Sequence, residues 1–224
     1  MIKLCVFDMD GLLIDSERNM YLKTGLEVSK SLGRPIDYDF FTAQMGGSFP
    51  AYEAHLLERY GADYPIEEYW KRYWDKVNYI VENEAIALRP GVKQILDYCK
   101  EKGIKMAVAS SSKRHIVETC LRNSKIIDYF DHLVSVEDVK ETKPNPEIFL
   151  KAIAHFNIDK KEALVFEDGH NGARAAINGG CPLIIVEDVA RITEQDRQEA
   201  VMCIDNIAKA IEYIEKENEG TSRI

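Results

Sequence analysis

Two aspartates set two residues apart begin the chemistry of this chain. Asp8 and Asp10 lie in Phe7-Asp8-Met9-Asp10-Gly11, just after an apolar, β-branched run over residues 2–7. Alternate residues of an extended segment point the same way, so both carboxylates can enter one site. Like charges held together call for a cation, and ligation by carboxylate and carbonyl oxygens suits Mg²⁺. By itself Asp-x-Asp-Gly is equally a strand end running into a turn. Three more stretches favour a site: Ser110-Ser111-Ser112 follows the run at residues 106–109, Glu167-Asp168-Gly169 follows Val165-Phe166, and Lys143 stands in Thr142-Lys143-Pro144-Asn145-Pro146. Singly, the serines cap a helix, Lys143 is a surface charge and Glu167-Asp168 open the next helix. Together they supply two acidic pairs, a hydroxyl and a cation.

These stretches recur at equivalent places in a repeating pattern. Strand-like runs occupy residues 2–7, 105–109, 132–136, 163–166 and 183–186, and amphipathic helical stretches occupy 91–102, 115–122, 147–156 and 171–178. The alternation predicts right-handed βαβ units and a mainly parallel sheet covered by helices on both faces, an α/β fold. Ligands of such sheets bind beyond the carboxyl ends of the strands, where both acidic pairs and the serines fall. Residues 16–82 break the pattern, with helical periodicity at 19–32, 50–60 and 66–81 and no strand between. So long a connection after the first strand predicts an all-helical cap inserted there, leaving residues 1–15 and 83–224 as the catalytic core. Most tyrosines and both tryptophans, Trp70 and Trp74, fall in the insert, where they are expected to pack a small helical core. The acidic stretch at 215–219 reads as a fraying, solvated helix end.

Composition narrows the function classes. With 46% hydrophobic and 30% charged residues over 224, the chain reads as a soluble globular protein of one large domain, or one domain with an insert. Its net charge of -9 repels a polyphosphate backbone, so no nucleic-acid polymer is expected as a partner. Five scattered cysteines without a Cys-x-x-Cys pair argue against a disulfide framework or zinc ribbon and for a reducing, cytoplasmic compartment. No apolar run approaches the roughly 18 residues that span a bilayer, so no membrane partner is expected. P-loop, nucleophile-elbow, dinucleotide-binding and His-Glu-x-x-His patterns are missing. His170, beside Asp168, is expected at the mouth of the following helix rather than as a base.

FDMDGLLIDSE near the start, VASSSK, KPNPEIF and FEDGHNG, in this order, resemble the haloacid dehalogenase-like superfamily, specifically its β-phosphoglucomutase-like branch with a helical cap. The resemblance runs over nearly the whole chain and implies a Rossmann-like three-layer core. It implies that Asp8 is a nucleophile forming an aspartyl-phosphate and that Asp10 is the general acid and base. It implies Mg²⁺ held by Asp8, the Asp10 backbone carbonyl and Asp168, with Glu167 direct or through water. Ser110 would donate to the transferring phosphoryl group and Lys143 would neutralise it, while Met9, Gly11 and Ser111 would line the phosphate and Gly46, Gly47 and Ser48 a substrate-discriminating cap loop. Relatives usually carry a serine where Gly169 stands, a departure that touches helix capping more than metal binding. β-Phosphoglucomutases carry a histidine at the position matching Met20 and a lysine and an arginine at those matching Met45 and Phe49. All three are uncharged here. The expectation is therefore a Mg²⁺-dependent phosphatase acting on a small phosphorylated metabolite, a sugar phosphate or nucleoside monophosphate. Phosphohexomutase is the alternative. A receiver-like module phosphorylated on Asp8 is disfavoured by Asp10 and by the large insert.

Overall fold

The computed structural model describes residues 1–44, 49–188 and 190–220. Six strands, β1 (Leu4–Phe7), β2 (Lys105–Ala109), β3 (His132–Val134), β4 (Ala163–Glu167), β5 (Leu183–Val186) and β6 (Met202–Ile204), form one parallel sheet in the order β3-β2-β1-β4-β5-β6. Side chains alternate across it. Cys5 and Phe7 join one apolar layer with Met106, Val108, Leu164 and Phe166, while Leu4 and Val6 join the other with Ala107, Ala109, Val165 and Ile185. Both faces are buried, which is why the central strands read as continuous apolar runs rather than as an alternating pattern. Helices α5 (Val92–Lys102), α6 (Arg114–Asn123), α7 (Glu147–Ala154) and α8 (His170–Gly179) cover them.

The chain leaves β1 in one direction through β2 and β3, then returns and leaves in the other through β4 to β6. The reversal opens a crevice at the carboxyl ends of β1 and β4. There Phe7 is paired in register with Phe166, their rings stacked 4.8 Å apart, and the Asp8 N–H donates to the Phe166 carbonyl at 3.0 Å. Asp8 and the Glu167-Asp168 pair thus emerge side by side.

Between β1 and β2 the chain is helical: a π-helical turn (Glu17–Leu22) running into α1 (Lys23–Ser31), then α2 (Tyr38–Ala43), α3 (Phe49–Tyr60) and α4 (Ile66–Asn83). The outgoing and returning segments lie side by side, Asp15 N–H donating to Ala87 O at 2.9 Å and Arg89 N–H to Leu13 O at 3.1 Å. Helix α1 approaches α2 closely, because a Cβ on Gly25 would fall 2.0 Å from the Phe41 ring. Tyr69 is fully buried, and its hydroxyl lies 3.2 Å from that of Tyr52.

Several elements depart from the sequence expectation. Helix α2 has no side-chain cap, α9 (Glu194–Glu199) opens with a Thr193–Asp196 capping box but runs only six residues, and β6 is a three-residue edge strand with Cys203 exposed. The acidic tail is not fraying over its whole length. Helix α10 (Ala210–Gly220) buries Ile214, and Asn218 accepts from the Ile2 N–H at 2.6 Å, tying it to the start of the chain. Among the described residues no helix is long and apolar enough to cross a membrane.

Candidate active site

Lys143 organises the crevice. Its ammonium, 6% exposed, donates to Asp8 Oδ1 at 2.5 Å, to Glu167 Oε1 at 2.7 Å and to the Ala109 carbonyl at 3.1 Å, tying the ends of β1, β2 and β4 together. Burial alone would lower the Lys143 pKa, but the adjacent Asp8 and Glu167 charges outweigh it and hold it above the usual lysine value. The other Glu167 oxygen accepts from the N–H groups of Asp168 and Gly169 at 2.9 and 3.0 Å. Gly172, on the first turn of α8, makes room for this carboxylate: a Cβ there would stand 1.6 Å from Glu167 Oε1. Gly169 provides the residue before α8 without a side-chain cap, its N–H turned to Glu167 instead.

Asp10 points elsewhere. Its carboxylate accepts from Ser16 Oγ at 2.8 Å and Ser112 Oγ at 2.7 Å, with Ser110 Oγ at 3.5 Å. The serine cluster therefore serves Asp10 and not the helix that follows. Helix α6 has no serine cap, and the Arg114 N–H is met by Glu137. Ser110 is fully buried and also accepts from the Ser112 N–H at 3.0 Å, while Ser111 and Ser112 line the open cavity. Met9 is buried in the core, so any contact of Met9 with a ligand would run through its backbone. Gly11 adopts φ +79°, and a Cβ there would fall 2.2 Å from Asp168 Oδ2, so the tight turn and the close carboxylate both require glycine. Gly46, Gly47, Ser48 and Met45 lie outside the described residues.

Asp8, Glu167 and Asp168 offer oxygens within 4.8 Å of one another, all buried. Lys143 engages Asp8 and Glu167 but leaves the Asp168 carboxylate without a hydrogen bond or ion pair among the described residues, so acidic oxygens face one another with a single cation nearby. That surplus and the all-oxygen donor set fit Mg²⁺, which Asp8 and Asp168 would hold with Glu167 beside them. Without metal, burial pushes Asp8 up to about 8 against the pull of Lys143, and burial likewise raises Asp10 and Asp168 above the ordinary aspartate value.

A pH dependence follows with a definite sign. A carboxyl whose folded pKa exceeds its unfolded value keeps a proton that the unfolded chain has lost, so the contribution of Asp8 to metal-free stability is full below about pH 4 and is lost as pH rises toward 8. Carboxylates with lowered pKa, such as Asp131 and Asp138, act below that window. Metal-free protein should therefore melt lower at pH 8 than at pH 5.5, by about 2–4 °C for each kcal/mol lost. Added Mg²⁺ should raise the melting temperature more at pH 8 than at pH 5.5. A Mg²⁺ shift equal at the two pH values would show that these carboxyls do not bind the ion.

A cavity of about 990 Å³ opens above the crevice, lined by Asp8, Asp10, Lys143 and Asp168 below and by Tyr21, Tyr52, Trp70, Tyr73 and Trp74 from the helical segment. The tryptophans thus do more than fill a helical core. His170 opens α8, with Nδ1 2.6 Å from the buried Asp196. Ser16, Ser112, Glu17 and Gly172 are contributors that residue type and spacing do not single out. Only the serine cluster carried a hint, since spacing alone cannot tell which of three hydroxyls meets Asp10.

The comparisons with known proteins agree with this geometry. The family model described as haloacid dehalogenase-like hydrolase matches residues 5–186. The phosphorylated carbohydrates phosphatase of Thermotoga maritima is 32% identical over 175 residues, covering 78% of this chain and 80% of that protein. Hexitol phosphatase B of Escherichia coli is 31% identical over 176 residues, covering 76% and 77%. The solved β-phosphoglucomutase of Clostridium difficile superposes with a TM-score of 0.73 at 25% identity over the full length of both chains. With the sheet order, the paired acidic strand ends and the matched span all in agreement, the chain belongs to the haloacid dehalogenase-like hydrolases, in their β-phosphoglucomutase-like branch.

Proposed function

We propose that the protein is a Mg²⁺-dependent phosphatase that hydrolyses a small phosphorylated metabolite, a sugar phosphate or nucleoside monophosphate, through an aspartyl-phosphate on Asp8. Residues 16–82 act as a cap over a core made of residues 1–15 and 83–224, and the five free cysteines suit a reducing, cytoplasmic setting.

The Asp8 carboxylate attacks phosphorus, and the bond from phosphorus to the ester oxygen breaks. Protonated Asp10 gives its proton to that oxygen, freeing the alcohol. Asp10, now a carboxylate, takes a proton from water as the water oxygen attacks the same phosphorus, which releases inorganic phosphate and regenerates Asp8. Bound Mg²⁺ supplies charge stabilisation for the phosphoryl oxygens and favours the ionised form of Asp8. Lys143 holds Asp8 in line and neutralises charge beside it, and Ser110 and the backbone N–H groups of Met9 and Asp10 would donate to the transferring group. Ser16 and Ser112, each donating to one oxygen of Asp10, hold its carboxyl in place at the cavity wall.

The observation that carries hydrolysis over mutase chemistry is the distribution of cations. Among the described residues lining the cavity, the basic side chains are Lys113, His115 and Lys143, all outside residues 16–82. Met20 is fully buried, and Arg72 is paired with Glu68 on the surface. A hexose mutase must hold a second phosphate while the first sits on Asp8, and these residues give the cap little with which to do so. A panel of metabolite phosphates assayed for phosphate release with and without Mg²⁺ tests the reading. β-Glucose 1-phosphate with a trace of its 1,6-bisphosphate is the decisive member, since isomerisation faster than phosphate release would overturn it. Asp10→Asn should lower kcat/KM by about 10²- to 10⁴-fold, the range for losing a general acid and base. A rate equal to wild type would assign the proton transfers to another group.

A further inference from the structure

Asp188 lies in the loop after β5, and its side chain is 1% exposed. Two arginines converge on its Oδ1, Arg18 at 2.5 Å and Arg89 at 2.7 Å. Neither ion pair has the alignment of a hydrogen bond, and Oδ2 accepts none from the described residues. Asp188 is not among the residues that line the cavity.

The two arginines reach Asp188 from opposite directions along the chain. Arg18 belongs to the π-helical turn Glu17–Leu22 that opens the helical segment, and Arg89 stands on the segment that returns from it. These segments pair through the Asp15 N–H with Ala87 O, the Arg89 N–H with Leu13 O, and a bridge between Ile14 and Leu88. Asp188 is fixed to the sheet by its neighbour, since the Glu187 N–H donates to Ile204 O at 2.8 Å. One buried carboxylate thus grips both crossings between the sheet and the helices.

A buried ion pair is a poor source of stability, because desolvating the charges offsets their attraction. What this one supplies is position. Ser16, two residues before Arg18, is fully buried, and its hydroxyl donates to Asp10 Oδ1 at 2.8 Å. Asp15 Oδ1 is also buried without a hydrogen bond, 3.7 Å from Arg18 Nη1, so Arg18 stands between Asp15 and Asp188. Removing that cation leaves both aspartates unbalanced at the turn that carries Ser16.

We propose that Asp188 is a positioning residue for the general acid and base: through Arg18, with Arg89 holding the returning segment, it sets the turn from which Ser16 orients Asp10. The assignment rests on the phosphatase reading and gives Asp188 no contact with substrate or metal. A misplacement of about 1 Å can slow a step by about 10²-fold, and the step that depends on Asp10 is protonation of the leaving oxygen.

The test compares kcat/KM for phenyl phosphate and p-nitrophenyl phosphate at fixed Mg²⁺ in wild type, Asp188→Asn, Arg18→Gln and Arg18→Lys. The esters are close in shape, but p-nitrophenolate departs readily without a proton whereas phenolate leaves far better with one. Asp188→Asn should lower kcat/KM for phenyl phosphate by at least about 10-fold and for p-nitrophenyl phosphate by less than about 3-fold. Arg18→Gln should do the same, and Arg18→Lys, which keeps the charge, should retain most of the wild-type ratio. Equal loss on both esters would make Asp188 a support of the fold alone, and no loss on either would detach it from Asp10. Either result overturns the proposal. If Asp188→Asn does not fold, Arg18→Gln decides, because Arg18 is 41% exposed and Arg89 remains to neutralise Asp188. A crystal structure of Arg18→Gln reads the same link without turnover. Ser16 Oγ should lie beyond hydrogen-bond reach of Asp10, and a retained 2.8 Å contact overturns the assignment. If wild type releases phosphate from neither ester, the phosphatase reading fails while this structure still decides whether the Asp188–Arg18 pair places Ser16.

Discussion

Asp8→Asn should lower kcat/KM by at least about 10³-fold while leaving the fold intact. The amide keeps the shape of the carboxylate but cannot attack phosphorus, and it gives up an anionic oxygen for the metal. Lys143 would still hold Glu167 and the Ala109 carbonyl, so no buried cation is stranded. Because the raised pKa of Asp8 reflects burial beside Glu167 and Asp10, removing its charge relieves repulsion in the metal-free protein. The metal-free variant should therefore melt at or above the wild-type temperature at pH 8 and lose most of the gain that Mg²⁺ confers. Turnover within about tenfold of wild type would rule out covalent chemistry at Asp8. A large drop in metal-free melting temperature would show that its charge holds the fold together.

The parts of this site that were legible in the sequence are those fixed by strand ends. A parallel strand delivers its last residues to the sheet edge whatever surrounds it, so Asp8, Glu167 and Asp168 could be placed from the apolar runs ahead of them. Lys143 was legible as a lone cation in a rigid loop, although its contact with Ala109 could not be read there, since it depends on how three strands register. Contributors set by tertiary approach stayed hidden. Ser16 meets Asp10 only because the chain turns sharply at Gly11, and Gly172 matters only because α8 lies against Glu167. The helical segment was legible as periodicity, but which aromatic rings turn to the cavity depends on how α3 and α4 face the sheet edge. The edge strand β6 escaped for another reason: three residues with one exposed side chain carry no pattern that distinguishes a strand from a loop.

Lys143→Met should be the most damaging change to structure and catalysis together. The methionine fills similar space but removes three hydrogen bonds and the charge that lies between Asp8 and Glu167. Breaking a buried ion pair by deleting one partner costs about 3–5 kcal/mol, because the remaining charge stays buried without compensation. For a chain of this size that corresponds to a melting temperature lower by on the order of 10 °C. The stranded carboxyls would respond by keeping protons, moving Asp8 further above its already raised pKa and leaving less nucleophile ionised at neutral pH. The rate should fall by at least about 10²- to 10³-fold, the usual loss for one charged stabiliser, and the residual activity should climb toward higher pH than in wild type. Lys143→Arg should not restore it, since a planar guanidinium cannot converge on two carboxylates and a carbonyl from the same buried point. High Mg²⁺ should recover part of the melting temperature, because the ion neutralises the same carboxylates, but little of the rate. A Lys143→Met enzyme with the wild-type pH profile and a rate within tenfold would mean that the ammonium serves only the fold and that positioning of Asp8 comes from its backbone.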